Sequence, residues 1–249
     1  PNGFKWNDTY SFDLSVRGFS GQFRHGRPFL RWNGGDATGQ VHWKTFATKD
    51  SSFGLNGSMR SLYKGGGFSG GATGQFEEGL SLGFRYDRKL NKQSGFAIGA
   101  EQLIQLDNTT DTGRNIYLMK SKGIWLNNKK NDFPLLVING GIASGRYASN
   151  EGIRLFCFKD FDTNRKFSSR IDNDLCFGPV GSISFLPNKS LSFFTEYNSD
   201  QFVLAASKKI SIIRPIRLTF GVNILEPGGS AKFKNEEEFN WVFRISTAF

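Results

Sequence analysis

The residues able to do chemistry are few. The chain holds 2 histidines, His25 and His42, and 2 cysteines, Cys157 and Cys176. A metal centre draws on clustered His, Cys and carboxylate ligands, and no CxxC or equivalent spacing occurs. A nucleophilic relay needs a base in frame with a Ser or Cys and an orienting acid. His25 stands in a stretch broken by Gly26 and Pro28, and His42 alternates with apolar neighbours, so neither supplies that frame. Carboxylates gather in polar loops, as at Asp160/Asp162 and Glu236/Glu237/Glu238, where solvation is the ordinary role. The chain is therefore read as a non-enzyme, with no catalytic residue, no metal ligand set and no cofactor. Cys157 and Cys176 either close a loop as a disulfide in an oxidising compartment or stand as two free thiols.

Two further features invite a binding role. Residues 64–75, KGGGFSGGATGQ, are glycine-rich. A phosphate cradle needs such a loop to feed a helix with Lys and Ser/Thr in register. An alternating strand pattern follows instead, so the reading is a flexible loop. The formal net charge is +10. A nucleic-acid face would cluster its basic residues. Here most lie singly along alternating segments, with Lys129–Lys130 and Lys208–Lys209 among the adjacent pairs. Nucleic acid is not expected as a partner.

What positions these side chains is a period of two. Tyr10, Phe12, Leu14 and Val16 alternate with Ser11, Asp13, Ser15 and Arg17. Leu80, Leu82, Phe84 and Tyr86 alternate with Ser81, Gly83, Arg85 and Asp87. Ile216, Leu218, Phe220, Val222 and Ile224 alternate with Arg217, Thr219, Gly221 and Asn223. Period two puts one set on each face of a strand. The count is about fourteen strands, within a range of roughly 12 to 16. Segment 22–32 is weak, 152–159 is short, and 115–126 has faces the pattern does not assign. A register slip near Leu103 and Ile104 suggests a bulge. No amphipathic helix is found, and no apolar run approaches the ~20 residues of a helical membrane span. The strands run near the ~9–11 residues of a tilted membrane strand, longer than the ~5–6 of soluble sheets. With 26 Phe and 30 Gly, composition also suits a β-protein.

The closing segment carries a resemblance. In residues 238–249, EFNWVFRISTAF, Phe239, Trp241, Phe243, Ile245 and Phe249 fall on one face. A terminal Phe preceded by alternate apolar residues resembles the C-terminal signal of bacterial outer-membrane β-barrels of the porin type. That resemblance implies a single closed antiparallel transmembrane β-barrel over 1–249 in the outer membrane, with a leader removed before Pro1. It implies lipid as surroundings and reading of the Phe239 to Phe249 strand by the barrel assembly machinery. An oligomeric or envelope-protein partner stays open.

Within such a barrel the wet face becomes the lumen. Arg17, Lys44, Arg60, Arg85, Glu101, Glu196, Arg217 and Arg244 are expected there, along the path of a solute. Trp43, Tyr86, Tyr197, Phe220, Trp241, Phe243 and Phe249 are expected to face lipid or its interfaces. At ~3.3 Å per residue, Trp241 and Phe249 are roughly 26 Å apart along the strand. Tilted, that approaches the ~25 Å apolar band between aromatic girdles. Residues 160–174 and 225–237 are expected as long external loops. The same parity puts the 64–75 loop on the periplasmic side, so either the N-terminal count is off or that loop folds into the pore.

Three functions follow. One is a porin-like channel for small solutes, anions among them, because the lumen set is mainly basic. The second is a structural or accessory barrel with a plugged lumen, serving envelope integrity, partner attachment or polysaccharide export. For the last, residues 177–226, with FTEYNSDQF and RPIRLTFGV, resemble barrels of surface-polysaccharide export. The third is a soluble β-barrel binding protein.

Overall fold

The computed structural model describes residues 11–19, 36–59, 80–106, 114–127, 132–145, 153–159, 175–198, 201–211, 215–225 and 239–248. The chain forms β1 Phe12–Phe19, β2 Asp36–Ala47, β3 Ser51–Met59 and β4 Ser81–Lys89. Then come β5 Ser94–Gln105, β6 Asn115–Asn127, β7 Asp132–Ser144 and the short β8 Phe156–Phe158. Five strands finish it: β9 Leu175–Leu186, β10 Leu191–Asn198, β11 Gln201–Ser211, β12 Pro215–Leu225 and β13 Phe239–Ala248.

All 13 belong to one antiparallel sheet, and the pairing of β9 with β10 closes it on itself. The seam between the ends of the chain is β1 on β13, from Asp13 opposite Ala248 to Phe19 opposite Val242. Closure satisfies every ladder N–H and C=O inside the sheet, which is what lets strands cross lipid without exposing an edge. Among the described residues no helix is long and apolar enough to cross a membrane.

The number of wall strands lies at the lower end of the expected range. β8 pairs only with the first residues of β9 and stands outside the ring, so twelve of the 13 strands make the wall. Segment 22–32 lies outside the described residues. β1 pairs directly with β2, from Phe12 opposite Trp43 to Phe19 opposite Asp36. The long connections 20–35, 60–80, 145–174 and 226–238 all leave from one rim. The turns 48–50, 90–93, 128–131, 187–190 and 212–214 mark the opposite rim. Residues 64–75, the glycine-rich loop, lie outside the described residues.

The faces follow from the registers. Leu14, Val16, Trp43, Leu55, Leu82, Ile98, Leu118, Ile138, Ile183, Phe193, Leu204, Phe220 and Ile245 all point outward and are exposed, Trp43 at 55%. They come from every wall strand and give the ring a continuous apolar exterior. A water-facing barrel would carry its polar set there. The lipid-facing surface of a transmembrane β-barrel does the reverse. The soluble-barrel alternative does not fit this exterior. The register slip near Leu103 and Ile104 is a bulge: Leu82 faces Ile104 while Phe84 faces Ala100, with Gln102 at φ 56°.

Candidate functional site: the inner wall

The inward set begins on β1 with Asp13, Ser15 and Arg17, and passes to His42 and Lys44 on β2. On β3 it is Ser52, Gly54 and Asn56, and on β4 Gly83, Arg85 and Asp87. These strands build a charged quadrant. Asp87 is buried, at 4% exposure. The Arg85 Nε donates to its Oδ1 at 2.8 Å and a second guanidinium nitrogen lies 2.8 Å from the same oxygen. The Ser52 hydroxyl donates to Oδ2 at 3.5 Å. A carboxylate held in this way is satisfied without water. His42 lies across Gly54, where a Cβ would stand 2.6 Å from its Cε1.

Next to this quadrant runs a basic arc. Lys209 on β11 faces Arg217 on β12. Arg244 on β13 faces Arg17 on β1. Four consecutive strands thus each turn one cation into the lumen. Arg244 donates to the Ser15 hydroxyl at 3.1 Å, and Arg217 to the Ser207 hydroxyl at 3.2 Å. The serine hydroxyls orient both guanidinium groups along the wall. Lys209 is the member the sequence pattern missed. It extends the alternation Val203, Ala205, Ser207, but its neighbour Lys208 faces the other way, and the doublet hides the parity.

Across the ring the inner wall changes character. Ala97 on β5, Tyr117 and Met119 on β6 and Ala143 on β7 form a buried apolar cluster, with Val180 of β9 packed against it. Lower on the same side, Leu135 and Val137 pack with Trp125, Phe133 and Leu186. A small cavity opens beside the first cluster, lined by Tyr117, Met119, Val180, Ser182, Glu196 and Asn198. In the closed order of strands, β13 and β6 are diametrically opposed, so the basic arc looks across the lumen at the Tyr117 cluster.

Glu101 stands on the inward register opposite Asn115, and Glu196 opposite Ser182 and Val203. Arg60 and Phe249 lie outside the described residues. Tyr86 and Tyr197 face outward, contacting Phe96 and Phe202 at ring distances of 6.0 and 4.8 Å. Trp241 stacks on Phe220 at 4.9 Å, and Phe243 faces Phe220 in register. Cys157 and Cys176 are joined in a disulfide with Cα atoms 4.0 Å apart, pinning β8 to the start of β9 at the long-connection rim. Phe156 stacks on Phe177 beside it. Among the described residues no group of three or more His, Cys, Asp or Glu is arranged to hold a metal.

A closed ring with an apolar outside and a charged inside defines a transmembrane β-barrel. No family model matches the sequence, and no curated protein matches it. Among solved structures, the fold is similar to the crystal structure of an outer membrane channel from Pseudomonas putida F1, with a TM-score of 0.50 and 11% identity over 100% of this chain and 99% of that one. The NanC porin matches with a TM-score of 0.47 and 11% identity over 95% of this chain and 98% of that one. The first of these likenesses is one of fold: the chain is folded as bacterial outer-membrane channels are.

Proposed function

We propose that this protein is an outer-membrane channel passing small solutes, with anions favoured. The observation that carries the reading is the arc Lys209, Arg217, Arg244 and Arg17, four cations on four adjacent strands of the inner wall. A fixed positive field inside a low-dielectric wall raises the local concentration of anions and lowers that of cations. The Arg85–Asp87 pair in the neighbouring quadrant is neutral in sum and adds nothing to that field.

The long connections, including 64–75, 160–174 and 225–237, would face outside the cell and the short turns the periplasm. The strand Phe239 to Phe249 would be the segment recognised during assembly. The test is purified protein in a planar bilayer under a salt gradient. Step currents with a reversal potential of the anion-selective sign support the reading, and silence removes it.

A specific observation favours a second reading. Tyr117 and Met119 are only 2% and 4% exposed although they point inward, so that side of the lumen is filled. A barrel plugged throughout in this way would be a structural or accessory one, and would pass no current.

A further inference from the structure

Charge on the outer face is confined to a few positions. Among the described wall residues, the outward set carries Arg88 on β4, Lys120 and Lys122 on β6, Lys208 on β11, and Asp132 at the start of β7. Three of the four cations fall on one patch. Arg88 and Lys120 both face Phe96, one from each side, in a single cross-strand row. Lys122 stands beside Ser94, the first residue of β5. The next position in the row past Lys120 is Gly140, where a Cβ would meet nothing within 4 Å. Gly140 itself has no side chain to lay over Lys120.

All three cations are exposed, and none makes a side-chain hydrogen bond or ion pair with a described residue. The outward residues next to them on β3, β5 and β7 include no acid. The patch also has a definite level. It reaches the rim of short turns on its β4–β5 side, where Arg88 is the penultimate residue of β4 and Lys122 is level with the start of β5, while β6 runs on to Asn127.

We infer that Arg88, Lys120 and Lys122 bind the phosphate of an anionic phospholipid in the leaflet at that rim. The inference rests on the wall being seated in lipid, as its apolar exterior requires. A cation facing hydrocarbon is tolerated where its arm reaches the interface and meets an anion. Neighbouring strands are ~4.8 Å apart, which separates the Arg88 and Lys120 backbones by about 10 Å. Their long side chains converge from that spacing on one phosphate above Phe96, with Lys122 on its turn side. The Arg88 guanidinium supplies the forked donor that matches a phosphate. Lys208 is the internal control, a lone outward cation between Leu191 and Leu218.

The test is native mass spectrometry of the folded protein released from micelles holding equal phosphatidylglycerol and phosphatidylcholine. The wild type should retain phosphatidylglycerol over phosphatidylcholine by roughly fivefold or more, as three surface cations imply. The variant Arg88→Gln/Lys120→Gln/Lys122→Gln should retain both equally, Lys122→Gln alone should be intermediate, and Lys208→Gln should match the wild type. Folding of each variant is checked by its heat-modifiable gel migration. Undiminished preference in the triple variant, or equal loss in Lys208→Gln, overturns the assignment. So does displacement of the lipid by inorganic phosphate at constant ionic strength, which would mark a free-phosphate site. A wild type that binds neither lipid nor detergent would instead refute the membrane seating itself.

Discussion

The Tyr117 ring lies over Gly99 of the neighbouring strand. A Cβ built on Gly99 would stand 2.5 Å from the Tyr117 hydroxyl oxygen, 2.7 Å from its Cζ and 2.6 Å from the Phe84 carbonyl. The two residues are register partners on the inner face of β5 and β6. Lacking a side chain, Gly99 lets a large ring lie along the wall instead of standing across the lumen. Gly99→Val should therefore cost about 1–3 kcal/mol by overpacking and push the ring inward. The readouts are a lowered thermal midpoint of the heat-modifiable gel shift and a smaller unit conductance. Tyr117→Ala should enlarge the conductance. A Gly99→Val protein with both values unchanged would show that the ring has room to spare.

Asp87 tests the charged quadrant. Its carboxylate is buried while the Arg85 side chain is 30% exposed. Removing the acid leaves a partly solvated guanidinium, so the cost of Asp87→Asn should be about 1–3 kcal/mol, below that of a fully buried pair. Replacing both, as Arg85→Gln/Asp87→Asn, should recover part of that loss. Guanidinium unfolding followed by tryptophan fluorescence measures both, and a double variant no better than the single would mean the pair does not act as a unit.

The basic arc sets the expected selectivity. In Arg17→Gln/Arg244→Gln the reversal potential under a salt gradient should move toward zero or to the cation-selective sign, with unit conductance nearly unchanged. Arg217→Gln should add to the shift. Charge removed from the outer face, as in Lys208→Gln, should leave the reversal potential where it was.

The disulfide lies off the ring. Cys157 and Cys176 join β8 to the first residues of β9, while β7 pairs with β9 from Ser144 opposite Phe177 onward. Reduction should leave the folded gel migration intact, because no wall ladder depends on β8. Limited proteolysis within 145–174 should accelerate, since the bond reinforces the pairing of β8 with β9. Loss of the folded band on reduction would place β8 within the cooperative unit after all.

Much of the barrel was legible because its strands obey one rule. Where the outward set is apolar and the inward set polar, as in Leu14/Val16 against Asp13/Arg17, the period of two assigns both strand and face. β6 breaks that rule. Its outward residues include Lys120 and Lys122, and its inward residues include Tyr117 and Met119. Alternation alone cannot orient such a strand; only its pairing with Gly99, Phe96 and Gly141 does. One segment lay beyond the reach of the pattern: 152–159 has strand composition, and whether it joins the wall depends on partners far along the chain.

Side-chain parity is a local property of an extended backbone, so alternation alone specified a β-structured chain with strands apolar on one face. Tertiary structure decided how many strands close the ring, which rim the long connections share, and which residues look at each other across the lumen. Those follow from closure, and closure is set by registers between residues as distant as Arg17 and Arg244. No local pattern encodes that contact, and on it rest both the basic arc and the apolar wall that faces it.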